Sequence, residues 1–250
     1  MKKAFTLIEL VFVIVVLGIL TFALWPKKQP TQALEAARQI VAHIRYTQHL
    51  ALNDDKFATH TDTDGTGNNI AIDWYKRLWR ITFSNPKVVP GCRSGGWRYA
   101  VYQNISRGLS DRGQPNGANE AARNPAQAGK VLSACYSGLS TNTSDELNLG
   151  QTYKIDRIDF SEFATGGGIQ GIIFDELGRA YPRGDWAVPY DISRNFSQVS
   201  EGDGSYGRIK LSAKDGSRAN ILVFGETGYA CVENVDLGCQ APTSTEAPAT

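Results

Sequence analysis

A predominantly apolar run from Phe5 to Trp25 begins almost at the N-terminus. At about 1.5 Å per residue, a helix over these 21 residues would cover the roughly 30 Å of a bilayer core. The single charged side chain in the run is Glu9, and a carboxylate within a membrane helix costs roughly 2.5–3.5 kcal/mol or more. The run ends in Trp25-Pro26 and two lysines, which do not resemble a signal-peptidase site. We therefore expect a transmembrane helix over residues 5–25 that remains part of the protein.

The residues around the start of the run form a pattern of their own. Lys2, Lys3 and Ala4 precede Phe5, and Glu9 stands at the fifth position counted from Phe5. This leader resembles the processing site of type IV prepilins and of type II secretion pseudopilins. The family usually has glycine where this chain has Ala4. A plain signal anchor with an acid near its cytoplasmic end is the alternative interpretation.

The resemblance implies a role for each of these residues. A prepilin peptidase would cleave between Ala4 and Phe5 and methylate the new amine of Phe5. Glu9 would act in assembly, because the amine of Phe5 on a neighbouring subunit could neutralise its carboxylate within lipid. Lys2 and Lys3 favour a cytoplasmic leader. The protein would then be a single-pass inner-membrane protein with its head in the periplasm.

Composition limits the remaining classes. The chain has 250 residues, with 26 basic and 25 acidic side chains. Loss of Lys2 and Lys3 with the leader would leave 24 basic side chains against the 25 acids. A nearly neutral protein offers no general attraction for nucleic acid, so we do not expect a nucleic-acid partner.

Four cysteines, Cys92, Cys135, Cys231 and Cys239, all follow the apolar run. An even number of cysteines in an oxidising compartment predicts disulfides, for which three pairings are possible. The local choice is Cys231–Cys239, which leaves Cys92–Cys135 as the second bridge. Many type IV pilins close a loop near the C-terminus with a disulfide, and this resemblance supports the local choice. No cysteine or histidine spacing is typical of a zinc site, so no metal is predicted.

The pattern after the anchor predicts three further parts. An amphipathic stem helix is expected over 26–53, because Leu34, Ala37, Val41 and Ile44 recur at helical spacing. A β-rich head is expected over 54–239 and a disordered tail over 240–250. Within the head, strands are predicted at 78–83, 99–102, 169–174, 208–211 and 221–224, and residues 103–130 are predicted to be a long surface excursion.

These parts predict an α+β, pilin-like fold. A long N-terminal helix, half in the membrane and half amphipathic, would pack on an antiparallel β-sheet head with long loops. Two stretches narrow the resemblance. Phe174 to Arg179 fits F-x-x-x-G-R, and Thr227-Gly228 lies between the last strands. Both resemble elements of the GspH/FimT group of minor pseudopilins.

Other motifs suggest chemistry that we consider less well supported. Residues 202–207 fit G-x-G-x-x-G, but a strand pattern follows where a dinucleotide site needs a helix. Asp62 and Asp64 resemble part of a calcium loop that lacks its closing acid. The stretch 74–80 is aromatic and basic and could bind single-stranded nucleic acid, although an ordinary strand is the favoured interpretation. The three histidines, His43, His49 and His60, do not form a metal motif.

The sequence therefore favours a structural protein without catalytic residues or a cofactor. It would be a minor pseudopilin or minor pilin that assembles into, or primes, a type II secretion pseudopilus or type IV pilus-like filament, at the filament tip. Its partners would be other pilins, the prepilin peptidase, the inner-membrane assembly platform and membrane lipid. The alternatives are a minor pilin of a DNA-uptake (competence) or adhesive pilus and a pilin-anchored periplasmic enzyme. No Lys or Arg follows Arg218, which argues against DNA binding.

Overall fold

The computed structural model describes most of the chain and divides it into two compact units, Met1–Thr31 and Gln32–Thr250. The described residues are 7–23, 31–54, 77–92, 95–103, 113–163, 170–183, 196, 198–200 and 204–241.

The first unit contains one helix, α1 (Leu7–Ala23, 17 residues). Aliphatic side chains dominate it, and each of its residues from 7 to 20 is exposed. Among the described residues, no helix combines the length and the apolar character needed to cross a membrane. The transmembrane helix predicted over 5–25 is therefore not shown, because α1 is shorter than that prediction and residues 5, 6, 24 and 25 lie outside the described residues.

The second unit begins with helix α2 (Gln32–Leu52, 21 residues). Its buried residues recur three and four positions apart, which places them along one face of the helix. They are Ala33, Ala36, Ala37, Ile40, Val41, Ile44, Thr47 and Ala51. Leu34, which the sequence pattern placed on this face, is half-buried at its edge.

Nine strands follow α2 in the described residues, together with a 3-10 turn and a short helix. The strands are β1 (Trp79–Ser84), β2 (Arg98–Gln103), β3 (Ile155–Asp159), β4 (Gln170–Phe174), β5 (Ala180–Pro182), β6 (Gln198–Ser200), β7 (Gly204–Ala213), β8 (Arg218–Phe224) and β9 (Ala230–Val232). The 3-10 turn is Asp145–Leu147, and the short helix is α3 (Leu149–Thr152).

The strands form two antiparallel sheets, where the sequence pattern predicted one. The first sheet has the order β2-β1-β4-β5. The second has the order β3-β7-β8-β9, and β6 pairs with the part of β7 that β3 leaves free. Helix α2 packs against β1 and β4 of the first sheet and against β7, β8 and β9 of the second. One helix face therefore covers parts of both sheets.

One hydrophobic core joins α2 to both sheets. Ile44 on α2, Ile81 on β1, Phe174 on β4 and Ile221 on β8 are all completely buried members of it. A hydrogen bond from Ala180 N to the carbonyl of Gly225 (2.8 Å) also connects the edge of the first sheet to the end of β8. The shared core and this bond make the second unit one packed body.

Residues 113–130 only partly match the surface excursion that the sequence predicted over 103–130, because residues 120–122 are buried while most of residues 123–129 are exposed. They form irregular bridges along the free edge of β2, together with the residues that follow. Ala122 N donates to the carbonyl of Val101, and Val101 N donates to the carbonyl of Leu132. The segment approaches β2 closely where its inner side chains are small, as at Ala121 and Ala122, which are both buried.

The structure contains the disulfides Cys92–Cys135 and Cys231–Cys239. The first joins the loop after β1 to the irregular segment beside β2. The second closes the turn after β9, and both of its cysteines are buried.

Candidate assembly site and stem–head junction

Helix α1 presents an apolar surface with one acid near its start. Leu7, Ile8 and Phe12 are 82%, 78% and 70% exposed. Soluble monomers rarely expose a continuous apolar surface of this kind, because its burial is favourable. Glu9 lies in the first turn of α1, where a carboxylate complements the helix dipole. Ala4 and Phe5, the predicted cleavage and methylation residues, lie outside the described residues.

The N-terminus of α2 is held by the turn between β7 and β8. Ala33 N donates to Ser217 Oγ (3.1 Å), although the two residues are 184 positions apart. Asp215 Oδ1 accepts from the amide (2.9 Å) and the hydroxyl (2.6 Å) of Ser217. These hydrogen bonds, the hydroxyl first, lower the pKa of Asp215, and the amide of Gln32 contributes. The turn therefore serves as the cap of α2.

The C-terminal part of α2 joins the two glycine motifs that the sequence analysis singled out. Gln48 Nε2 donates to the carbonyls of Gly178 (2.9 Å) and Thr227 (2.7 Å). Gly228 has φ +64°, and a Cβ there would lie 2.0 Å from the carbonyl oxygen of Gly178. The F-x-x-x-G-R turn and the Thr227-Gly228 turn therefore meet on helix α2, where only a glycine fits. We call this contact the stem–head junction.

Asp175 explains the shape of the F-x-x-x-G-R turn. Its side chain is almost fully buried. Its Oδ1 accepts from the amides of Leu177 (3.0 Å) and Arg179 (2.8 Å), and its Oδ2 accepts from Arg179 Nε (2.7 Å) and Tyr181 Oη (3.1 Å). A buried carboxylate with four donors is well compensated, so the turn is held from within. Phe174, the first residue of the motif, lies in the core.

Arg45 adds a contact that sequence reasoning missed. Its Nε donates to the carbonyl of Ala230 on β9 (2.9 Å), and its guanidinium lies 5.1 Å from the ring centroid of Tyr229. Asp236, inside the Cys231–Cys239 loop, is 3.9 Å from the same side chain. The sequence pattern indicated only that Arg45 lies on the polar side of α2. That position does not identify a partner 185 residues away.

A polar network lies between the middle of α2 and strand β2. The hydroxyl of Tyr99 is 2.7 Å from both Gln39 Nε2 and His43 Nδ1. The phenol of Tyr153 donates to Gln39 Oε1 (2.5 Å). The Tyr99 hydroxyl can accept from Gln39 and donate to Nδ1 of a neutral His43, so both of its contacts are satisfied in this tautomer. Burial opposes a charged imidazole and lowers the pKa of His43 from 6.5 to about 4, and burial likewise raises the pKa of Tyr99.

The other motifs that the sequence analysis considered do not come together in one site. Strand β7 begins at Gly204, inside the G-x-G-x-x-G stretch, and continues to Ala213, where a dinucleotide site would need a helix. Arg80, from the aromatic and basic stretch, is completely buried with its guanidinium over the ring of Tyr102. Residues 74–76 of that stretch lie outside the described residues, as do His60 and the partial calcium loop with Asp62 and Asp64. Within the described residues, no group of three or more His, Cys, Asp or Glu could hold a metal ion.

Comparison with known families gives one match. Residues 1–25 match the prokaryotic N-terminal methylation motif. The match supports a relationship to type IV pilin-like proteins. Searches of curated proteins and of solved structures found nothing that matches this chain. The α+β architecture, with a helix packed on antiparallel sheets, is consistent with a pilin-like fold.

We expect Gly228→Ala to destabilise the head more than Gly129→Ala does. Both glycines have positive φ, so each substitution costs about 1–2 kcal/mol of backbone strain. A Cβ at Gly129 meets nothing within 4 Å, whereas a Cβ at Gly228 strikes Gly178 and Gln48 and adds about 1–3 kcal/mol. Urea unfolding of the full chain in detergent, followed by circular dichroism, measures the difference. Equal losses for the two variants would show that the junction does not stabilise the head.

We expect the stability of the head to decrease between pH 6.5 and about 4 because of His43. In the unfolded chain, His43 takes up a proton below its ordinary pKa of 6.5. In the folded chain, His43 stays neutral until the pH approaches its lowered pKa of about 4. The contribution is present above pH 6.5, is lost as the pH falls through this window, and is on the order of 3 kcal/mol. Thermal unfolding of wild type and His43→Gln across the window tests this, with the exposed His49→Gln as the control. The interpretation fails if His43→Gln keeps the wild-type pH dependence.

Proposed function

We propose that this protein is a membrane-anchored minor pseudopilin or minor pilin of the GspH/FimT-like group. Its N-terminal segment would anchor it in the inner membrane and then assemble it into a pseudopilus or pilus-like filament. The observation that carries the proposal is the methylation motif over residues 1–25, which ends in the apolar segment that includes α1.

The exposed surface of α1 supports this role. A helix with large aliphatic side chains on every side can be buried by lipid before assembly and by neighbouring helices afterwards. The same surface therefore suits both a stored and an assembled subunit. An ordinary soluble enzyme would gain nothing from it.

Glu9 would set the register of assembly. A carboxylate among apolar side chains and lipid is costly, and a cation in the same environment lowers that cost. Cleavage before Phe5 would create such a cation, the methylated amine, on each neighbouring subunit. Pairing of Glu9 with that amine would favour one axial position of the helix over others. A helix shifted along the filament would leave both charges buried without a partner.

The head would determine which partners a subunit accepts. Both sheets are fixed to α2 through one core, the cap at Ser217 and the stem–head junction at Gln48. A rigid connection of this kind transmits the position of the stem to the surface of the head. The irregular segment beside β2 enlarges the head on one side, which suits a filament tip better than a repeating shaft.

We expect prepilin peptidase to cleave after Ala4 and to methylate Phe5. Intact-mass analysis of the protein extracted from peptidase-positive membranes should show loss of residues 1–4 and the mass of one methyl group. A peptidase-deficient strain is the control and should retain the complete leader. A mature chain that still begins at Met1 in peptidase-positive cells would contradict the prediction.

We expect Glu9→Ala to impair assembly while leaving insertion, processing and folding intact. Removal of the carboxylate takes away the partner of the neighbouring amine but leaves the apolar segment unchanged. In-cell cross-linking to partner pilins and the output of the machine should both fall at least tenfold. Glu9→Asp should restore part of both, and Glu35→Ala, which removes an exposed acid from α2, should resemble wild type. Normal assembly of Glu9→Ala would show that the segment is only an anchor.

A further inference from the structure

A cleft of about 450 Å³ lies beside Trp97 and strand β3. This volume falls within the range of about 300–1,000 Å³ that is typical of small-ligand sites. Described residues that line it include Trp97, Phe160 and Phe163, together with the polar side chains of Arg157, Asp159 and Ser161. The cleft therefore combines the partly exposed ring of Trp97, which lies beside the buried Phe160 and Phe163, with a rim of hydrogen-bonding groups. None of these residues takes part in the stem–head junction.

Trp97 is held in one orientation by contacts on several sides. Its indole Nε1 donates to the carbonyl of Asp156 (3.1 Å), and its own carbonyl accepts from Gly150 N (2.9 Å). Its ring lies 6.5 Å from the ring of Phe160, which packs at 5.2 Å against Phe83 in the core. The side chain is half-buried, so part of the indole is available to the cleft without reorganisation.

A β-bulge directs the polar rim towards the cleft. The pairing of β3 with β7 shifts register between Ile155 and Arg157. In a regular strand that begins with the buried Ile155, Arg157 and Asp159 would both point into the core. The bulge instead buries Ile158, and Arg157 becomes exposed with Asp159 two residues further along the same side. Bulges that redirect side chains are common beside binding sites.

Asp159 is prepared as a hydrogen-bond acceptor. Its Oδ1 accepts from the amide of Ser161 (2.8 Å), and this backbone hydrogen bond is the main reason that the pKa of Asp159 is lowered. The positive charges of Lys210 and Arg157 act in the same direction. The carboxylate is therefore ionised at neutral pH, with acceptor capacity beyond the bond to Ser161.

We propose that this cleft binds a neutral sugar ring, which stacks on Trp97 and hydrogen-bonds to Asp159 and Arg157. A pyranose with equatorial hydroxyls has an apolar face of C–H groups and an edge of neighbouring hydroxyls. The indole matches the face, because aromatic rings offer a flat apolar surface of negative potential. The carboxylate accepts from hydroxyls and the guanidinium donates to them. One positive and one negative group leave the rim without a net charge, which favours a neutral ligand over an ion. The site is independent of filament assembly and goes beyond it.

The test uses the full-length protein in a zwitterionic detergent without a sugar headgroup, because maltoside and glucoside detergents would compete. Cellobiose, chitobiose and lactose are titrated separately by calorimetry and by saturation-transfer NMR. We expect at least one of them to bind, with the strongest transfer at the C–H protons of one ring face. Trp97→Ala should lower the affinity at least tenfold, and Trp97→Phe should lower it less. Asp159→Asn should also weaken binding, whereas Arg218→Ala, at an exposed arginine outside the cleft, should not.

Two results would overturn the proposal. One is the absence of binding for all three disaccharides at up to about 10 mM. The other is binding that neither Trp97→Ala nor Arg157→Ala reduces, because the sugar would then occupy another surface. Circular dichroism shows whether Trp97→Ala keeps the fold. If it does not, Arg157→Ala decides the matter, since Arg157 is exposed and its removal leaves the core unchanged.

Discussion

One face of helix α2 has to bury parts of two separate sheets, and most of the head depends on this constraint. The face can do so because it alternates small and branched residues, with Ala36 and Ala37 beside Ile40 and Ile44, all completely buried. Small residues allow the strands to approach, and the isoleucines fill the space between them. Apolar contact is not directional, so it would not by itself prevent the sheets from sliding along the helix. Directional hydrogen bonds at the two ends of α2, from Ala33 to Ser217 and from Gln48 to Gly178, supply that restraint.

The two units of the chain differ in where their apolar side chains lie. The second unit buries its apolar side chains in its own core and satisfies polar groups internally, as the Gln39, His43 and Tyr99 network shows. The first unit leaves an apolar helix exposed from residue 7 to residue 20. A surface of that kind is stable only in contact with lipid or with other helices, which agrees with the methylation motif over residues 1–25. The exposed apolar surface therefore lies in one unit and the packed core in the other.

Polar groups inside the head favour a single arrangement. Asp175 is buried with four donors, and Arg208 bonds to both Glu162 (2.8 Å) and Glu233 (2.9 Å) across the second sheet. Groups of this kind contribute little net stability when they are satisfied, but a displaced strand would leave them buried without partners. The shape of the cleft beside Trp97 also depends on this rigidity, because its lining residues come from different elements of the fold.

Local patterns in the sequence determined the parts that depend on neighbouring residues. The apolar run, the stripe of α2, the approximate positions of β1, β2, β4, β7 and β8, and the two glycine turns were all predictable, because period and turn chemistry are short-range. The second sheet as a separate unit, the bulge in β3, and the burial of residues 120–122 beside β2 were not predictable. The same holds for the partners of Gln48 and Ala33, which lie 130 and 184 residues away. Only the tertiary structure determined these features, because they depend on which distant segments pack against the same helix face. No local sequence pattern specifies those segments.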